Sequence, residues 1–161
     1  VTRIGSTAIN ATGNMLNNTL AGNTANNVLT GGVGNDTYLV GRGSAQDSIS
    51  ENDATVGNTD VVLFGAGVSN DQLWFAHTGN NLEISIIGST DKVTIQNWYT
   101  GSAYHTEQIR TSNGQLLLDT QVENLVNAMA AFAPPAAGQS TLPPTYQDAL
   151  APVIAVNWQA A

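Results

Sequence analysis

Asp36 closes a glycine-rich stretch, GGVGND (31–36), and four more acids, Asp47, Glu51, Asp53 and Asp60, follow it before the chain turns apolar at VVLF (61–64). Carboxylates spaced in this way beside turns of small residues suit one kind of chemistry, the holding of a hard cation by oxygen ligands. Several backbone carbonyls of a tight turn can be aimed at one point while a carboxylate supplies the charge. The overall balance agrees: 12 acids against 4 Lys and Arg give a formal net charge of -8, which repels a phosphate backbone and excludes nucleic acid as a partner. Cysteine is absent, so disulfides and thiolate metal sites are excluded as well. Catalysis has little to work with. The only histidines are His77 and His105, and no G-x-S-x-G, H-E-x-x-H or phosphate-cradling glycine loop is present. His105 would share a face with Glu107 in a strand, yet we read both histidines as surface or hydrogen-bonded residues and expect no enzyme in this chain.

The acids must be positioned by the elements around them, and Asp36 belongs to a repeat. The blocks GNMLNNTLA (13–21), GNTANNVLT (22–30) and GGVGNDTYL (31–39) align without a gap. Position 1 is Gly13, Gly22 and Gly31; position 5 is Asn17, Asn26 and Asn35; position 6 is Asn18, Asn27 and Asp36; position 8 is Leu20, Leu29 and Tyr38. A six-residue turn, where Gly and Asn tolerate positive φ, would lead into a three-residue strand whose position-8 side chain points inward. Two such units close one coil, so successive blocks alternate between two opposite sheets. Turns on one edge then recur in every second block, which sets Asn18 against Asp36 and Asn27 against the region of Asp47. Residues 1–12 fall outside the register and read as an irregular first rung with Val1 at an exposed strand edge.

Gly31, Gly32, Gly34, Asp36 and Tyr38 meet the pattern G-G-x-G-x-D-x-U-x in full, and the stretch resembles the nonapeptide repeats of the RTX (haemolysin-type calcium-binding) family. The resemblance implies Ca2+ as the cofactor, held by Asp36 with Gly32 and Gly34 of the same turn. Blocks one and two depart from the pattern with Asn14 and Asn23, Leu16 and Ala25, and Asn18 and Asn27. Asn18 and Asn27 each offer one neutral oxygen and remain metal candidates. Our reading is that they close their turns by side-chain to backbone hydrogen bonds, as a calcium-independent start to the coil. Asp47, Glu51 and Asp60, on degenerate later rungs, are further candidate ligands. Asp53, beside Asn52 in a turn, reads as solvated.

Residues 60 to 129 are similar to the haemolysin-type calcium-binding related domain that follows such repeats. Leu82, Ile84 and Ile86 alternate with Glu83 and Ser85 and are followed by Val93 and Ile95, with turn signals at 78–81 and 88–91, which predicts antiparallel strands. Asn113-Gly114 predicts a hairpin with a type I′ turn. A helix is expected with Thr120 and Glu123 as a capping box and Val122, Leu125, Val126, Met129 and Phe132 on one face. Residues 133–144 read as a proline-rich linker, and 145–158 as a short helix interrupted near Pro152. Trp74, Trp98 and Trp158 read as core or cap residues. The expected fold is mostly β: a short parallel β-roll that continues into an antiparallel β-rich cap with one or two C-terminal helices. Its regions are 1–62 (roll), 63–132 (cap) and 133–161 (linker, helix and secretion-signal region).

The function implied by the resemblance is that of a calcium-binding folding and export module, C-terminal in a larger RTX protein that leaves the cell by type I secretion and folds outside. Its partners would be the type I secretion machinery and the upstream domains of the parent protein, and its location extracellular or on the cell surface. No run approaches the roughly 20 apolar residues of a membrane span, no N-terminal leader opens the chain, and a start at Val1 rather than Met leads us to expect a piece of a longer protein. Two other classes are considered. An adhesive or ligand-binding surface of stacked Asn and Thr would need a longer ladder than two copies in register, and part of an extracellular enzyme would need a catalytic constellation.

Overall fold

The structure is a computed structural model that describes residues 5–161; the expectation about Val1 lies outside the described residues. The nonapeptides coil as their period demands. Strands β1 (Ala11–Thr12), β3 (Val28–Thr30) and β5 (Gln46–Ile49) lie side by side in one sheet, and β2 (Thr19–Ala21), β4 (Thr37–Val40) and β6 (Val61–Phe64) in the other. All these pairings are parallel. Each strand contributes one inward side chain to a stack. Ala11, Leu29 and Ile49 are in register on one sheet, Leu20, Tyr38 and Val62 on the other, and all six have no exposed surface. Such unbroken apolar columns are what drives a stack of short strands that no single strand could sustain.

The later strands add to these sheets. β7 (Leu73–Thr78), β8 (Asn81–Ile86) and β9 (Lys92–Ile95) form an antiparallel meander, of which β8 and β9 are the expected pair and β7 adds a third strand on the other side of β8; β9 also pairs in parallel with β5, which extends the first column to Ile95. In the second sheet β10 (Gln108–Thr111) pairs in parallel with β6, bringing Ile109 beneath Val62, and antiparallel with β11 (Gln115–Leu118). β9 and β10 are thus the seams at which a parallel roll turns into antiparallel structure. The β10–β11 hairpin differs from expectation in its turn. Only Gly114 takes a positive φ (82°) and Asn113 does not, so the turn is not type I′. The Gly114 N–H returns to Thr111 O at 3.0 Å, the pattern of a three-residue loop with glycine last.

Two helices cover the open end. α1 (Asp119–Met129) buries Val122, Leu125, Val126 and Met129, with Phe132 packed beyond it. Its cap is not the expected Thr120–Glu123 box, because the helix starts two residues earlier, with Leu118 at the N-cap. Asp119 Oδ1 accepts the Thr120 N–H (2.7 Å) and Gln121 Oε1 accepts the Leu118 N–H (3.4 Å), while Thr120 is exposed. α2 (Pro144–Asn157) runs through Pro152 without a break, contrary to expectation. Pro152 and Asp148 are both exposed, so the carbonyl left without its i+4 donor can turn to water. Leu142, Leu150, Ile154 and Trp158 are buried, and β12 (Gln159–Ala160) docks on β11, so the C-terminal stretch is part of the fold. Trp74, Trp98 and Trp158 are all core residues, at 4 to 5% exposure. No helix of the described residues is long and apolar enough to cross a membrane.

The helix start is testable. Thr120→Ala should change stability by no more than about 0.5 kcal/mol, as for an exposed site without a special role. Asp119→Ala should cost more, about 0.5–2 kcal/mol, by freeing the Thr120 N–H and removing the His105 contact. Urea melts of both variants decide it, and the reverse order would return the cap to Thr120.

Candidate metal centre

The site grows out of the way the turns stack. At each repeat the position-6 side chain folds back over the position-1 glycine. Asn18 Oδ1 accepts the Asn14 N–H and Asn27 Oδ1 the Asn23 N–H, each at 2.7 Å, so the Asn turns close on themselves as expected. A methyl group on Gly13 or Gly31 would collide with the position-6 group, Asn18 Oδ1 in the first case and Asp36 Oδ2 in the second. The glycine column therefore answers to close approach rather than to φ. Positive φ is taken by Gly32 (105°) and Gly34 (115°), and by no Asn of the repeats. These two glycines set the third turn directly on the first: a Cβ on Gly32 would lie 2.8 Å from Asn14 O, and one on Gly34 3.0 Å from the Leu16 carbonyl carbon.

Between coils the position-6 oxygens accept backbone N–H groups from the coil before. On one edge Asp36 Oδ1 takes the Asn18 N–H (2.7 Å), Asp60 Oδ1 the Asp36 N–H (2.7 Å), and Glu107 Oε2 the Asp60 N–H (2.6 Å). Position-5 asparagines reach the other way: Asn17 Oδ1 accepts the Asn35 N–H and Asn35 Oδ1 the Thr59 N–H. The opposite edge is built alike, with Asp47 Oδ1 on the Asn27 N–H at 2.9 Å. Both expected facings, Asn18 to Asp36 and Asn27 to Asp47, are present.

On the first edge three acids converge. Asp36, Glu51 and Asp60 each offer a carboxylate oxygen within 4.8 Å of those of the other two, and their exposures are 0, 2 and 0%. One cation with Ca–O distances of about 2.3–2.6 Å spans oxygens up to about 5 Å apart. Each carboxylate is fixed by one or two hydrogen bonds: Glu51 Oε1 accepts the Asn52 N–H (3.0 Å), its Oε2 the Tyr38 hydroxyl, and Asp60 Oδ2 the Asn58 amide (3.0 Å). Asp36 Oδ2 is buried with no partner at all. The ion pairs among the described residues join Lys92 to Glu83 and His105 to Asp119 and touch none of the three. An orphaned carboxylate oxygen among buried, unneutralised acids fits a hard divalent cation, so the residues present suit calcium.

Two of the remaining candidates stand apart from this cluster. Asp47 is on the opposite edge, also with an unpartnered Oδ2, and Asn27 beside it has an unpartnered amide nitrogen. Asn18 and Asn27 use their side-chain oxygens in their own turns. Asp53 is not solvated as expected. It is 6% exposed, with Oδ2 on the Gly34 N–H (3.1 Å) and Oδ1 on the Thr55 N–H (2.8 Å), because the loop 50–60 folds over the third turn. Sequence reasoning missed Glu107 as a rung of the ladder. Its signal is its place: like Asp36 and Asp60 it directly precedes a strand of the same sheet.

Burial raises the pKa of Asp36, and it pushes Glu51 and Asp60 up to about 7, with the mutual charges of the acids adding to it. Asp47 is pushed up to about 6, again mainly by burial. For Asp53, hydrogen bonds from Thr55 and Gly34 outweigh burial and leave it lowered. Acids raised above their unfolded values near 4 bind protons more tightly in the folded chain, so stability is fully present below about pH 4 for these groups and is lost as pH rises through about 7. In chelator, the thermal midpoint should therefore fall between pH 5 and 8, and Glu51→Gln should flatten the fall. A midpoint that rises over that range would contradict the buried-acid cluster.

Gly31→Ala tests the close approach. It should destabilise the chain by about 1–3 kcal/mol through overpacking against Asp36 and Tyr38. Gly65→Ala, whose Cβ would meet only Val40 O at 3.6 Å, should cost less. Equal losses in denaturant melts would refute the reading of the glycine column.

Comparison with known proteins agrees with the arrangement. Residues 12–45 match the family model of the RTX calcium-binding nonapeptide repeat (4 copies), and residues 81–121 match that of the haemolysin-type calcium binding protein related domain. The iron-regulated protein FrpA of Neisseria meningitidis serogroup C is 35% identical over 93 residues, which are 56% of this chain and 8% of that protein. The chain thus spans less than a tenth of the length of that curated relative.

Proposed function

From a chain that carries RTX calcium-binding repeats followed by a haemolysin-type calcium binding protein related domain, we propose that this is the calcium-dependent folding module of a larger RTX protein. The observation that carries the reading is the buried trio Asp36, Glu51 and Asp60 with its unpartnered Asp36 Oδ2. The three carboxylates would hold the ion, with backbone oxygens of the turn at Gly32 and Gly34 completing the shell. The ion would supply the positive charge that the turn lacks. Asp47 would then mark a second, weaker position on the opposite edge, and Asn18 and Asn27 would serve the turns rather than the metal.

The physical consequence is a switch set by calcium. Without the ion, ionised carboxylates in one buried place repel each other and oppose the coil; with it, binding becomes folding free energy. Sites of about 10⁻⁴ to 10⁻³ M affinity are empty at cytosolic calcium and filled outside. That suits a protein exported unfolded by the type I secretion machinery and folded at the cell surface or beyond, with upstream domains carrying the parent's activity. On this reading the module is not itself an enzyme, and its histidines are structural. His105 stacks on Trp98 (3.9 Å between centroids) with its ring nitrogens on Asp119 and the Trp98 carbonyl, and His77 stacks on Tyr99.

Calcium at about 10 mM, ten to a hundred times such a dissociation constant, should stabilise the chain by about 1.4–2.7 kcal/mol and raise the thermal midpoint by several degrees. Asp36→Asn keeps an acceptor for the Asn18 N–H and should lose most of that shift, whereas Asp47→Asn should keep most of it. A midpoint indifferent to calcium and chelator would overturn the proposal.

A further inference from the structure

Tyr38 occupies position 8 of its block, the place that Leu20 and Leu29 fill in the blocks before it. Its neighbours in the inward column are Leu20, Val62 and Ile109, all aliphatic and all, like Tyr38, without exposed surface. The ring satisfies the column. The hydroxyl is an addition that an apolar core does not need, and a buried phenol requires a partner. Its partner is Glu51 Oε2, from a segment beyond the next strand.

Glu51 is itself out of frame. Thr19 pairs with Thr37, two blocks on; the same step from Thr37 would reach Thr55, but Thr37 pairs with Val61 instead. Part of that longer step arises before β5, because Leu29 pairs with Ile49 rather than with Asp47, two blocks on; the rest lies in the loop 50–60, where Glu51 sits rather than at a position-6 site. Asp36 and Asp60 are held at the cluster by the ladder of backbone N–H groups, directly before β4 and β6. Glu51 has no rung in that ladder. Its contacts are the adjacent Asn52 N–H, which moves with its own loop, and the Tyr38 hydroxyl, which is anchored in the core. The hydroxyl also sits at the edge of the site: a methyl group on Gly31 would collide with both Tyr38 Oη and Asp36 Oδ2.

Resting on the calcium reading above, we propose that Tyr38 is a positioning residue for the metal centre: its core-anchored hydroxyl recruits the out-of-frame Glu51 as the third carboxylate beside Asp36 and Asp60. The phenol acts through Glu51 and is not a ligand. A nonapeptide turn with one acid thereby gains a ligand from an insertion, and the choice of Tyr rather than Leu at position 8 decides whether the gain is realised.

The test is a double-mutant cycle on the full chain, with calcium affinity read by titration calorimetry and folding by cooperative melts in chelator. Tyr38→Phe keeps the ring, and its calcium dissociation constant should rise about tenfold or more, the scale of a lost hydrogen bond to a charged group. In the Glu51→Gln background, where the carboxylate is already gone, the same substitution should change affinity less than about twofold. A second readout uses Tyr38 itself: calcium should produce a tyrosine near-UV difference signal in the parent that is absent from Tyr38→Phe and reduced in Glu51→Gln. The Glu51→Gln signal alone decides the matter if Tyr38→Phe does not fold. Parental affinity in Tyr38→Phe, an equal loss in both backgrounds, or an undiminished tyrosine signal in Glu51→Gln would overturn the positioning role and leave calcium binding standing. A parent chain that takes up no calcium would instead remove the calcium reading, and this inference with it.

Discussion

The roll depends on what happens to the backbone N–H groups at its turns. Short strands of two to four residues pair along the sheets, but the turns between them sit one coil above another with donors that no strand can meet. In this chain side-chain oxygens meet them: Asn17 and Asn35 reach to the following coil, and Asp36, Asp60 and Glu107 to the preceding one. An unpaired buried N–H costs about as much as a lost hydrogen bond. The regular recurrence of Asn and Asp is therefore a structural requirement of the coil before it is a metal-binding one.

Charge enters because the same rung can be filled by an amide or by a carboxylate. Asn18 and Asn27 close their turns as neutral groups and ask nothing further of their surroundings except a partner for the Asn27 amide nitrogen. Asp36 and Asp60 make equivalent bonds to the preceding coil with one oxygen, and Asp36 leaves the other buried and unpartnered. With Glu51 beside them, the place is electrostatically incomplete. The early turns are thus closed by neutral amides, whereas the later ones carry buried carboxylates that no ion pair among the described residues neutralises.

The cap solves a different problem, the open end of the stack. β9 and β10 first prolong the parallel sheets and then offer their far edges to β8 and β11, so the change to antiparallel pairing leaves no break in either inward column. Asp60, a metal candidate, and Glu107, which leads into β10, share a hydrogen bond. The cluster and the cap are thus joined through one rung, directly before β10.

Periodicity is local, and what it dictates was legible in the sequence: the nine-residue coil, the alternation between two sheets, the facing of Asn18 with Asp36 and of Asn27 with Asp47, the antiparallel strands from Leu82 to Ile95, and the apolar face of α1. Features set by contact between distant segments were not. Asp53 reads as a solvated turn residue until the loop 50–60 is seen folded over Gly34. Pro152 reads as a helix break until its surroundings prove exposed, and Thr120 reads as a cap until the chain enters α1 two residues sooner, at Leu118. The sequence by itself determined the roll and supplied the acids, because a repeat carries its own geometry from block to block. Only the tertiary structure decided which acids share a site, because Glu51 reaches Asp36 and Asp60 through an irregular loop whose path is set by packing and by a hydroxyl in the core rather than by spacing.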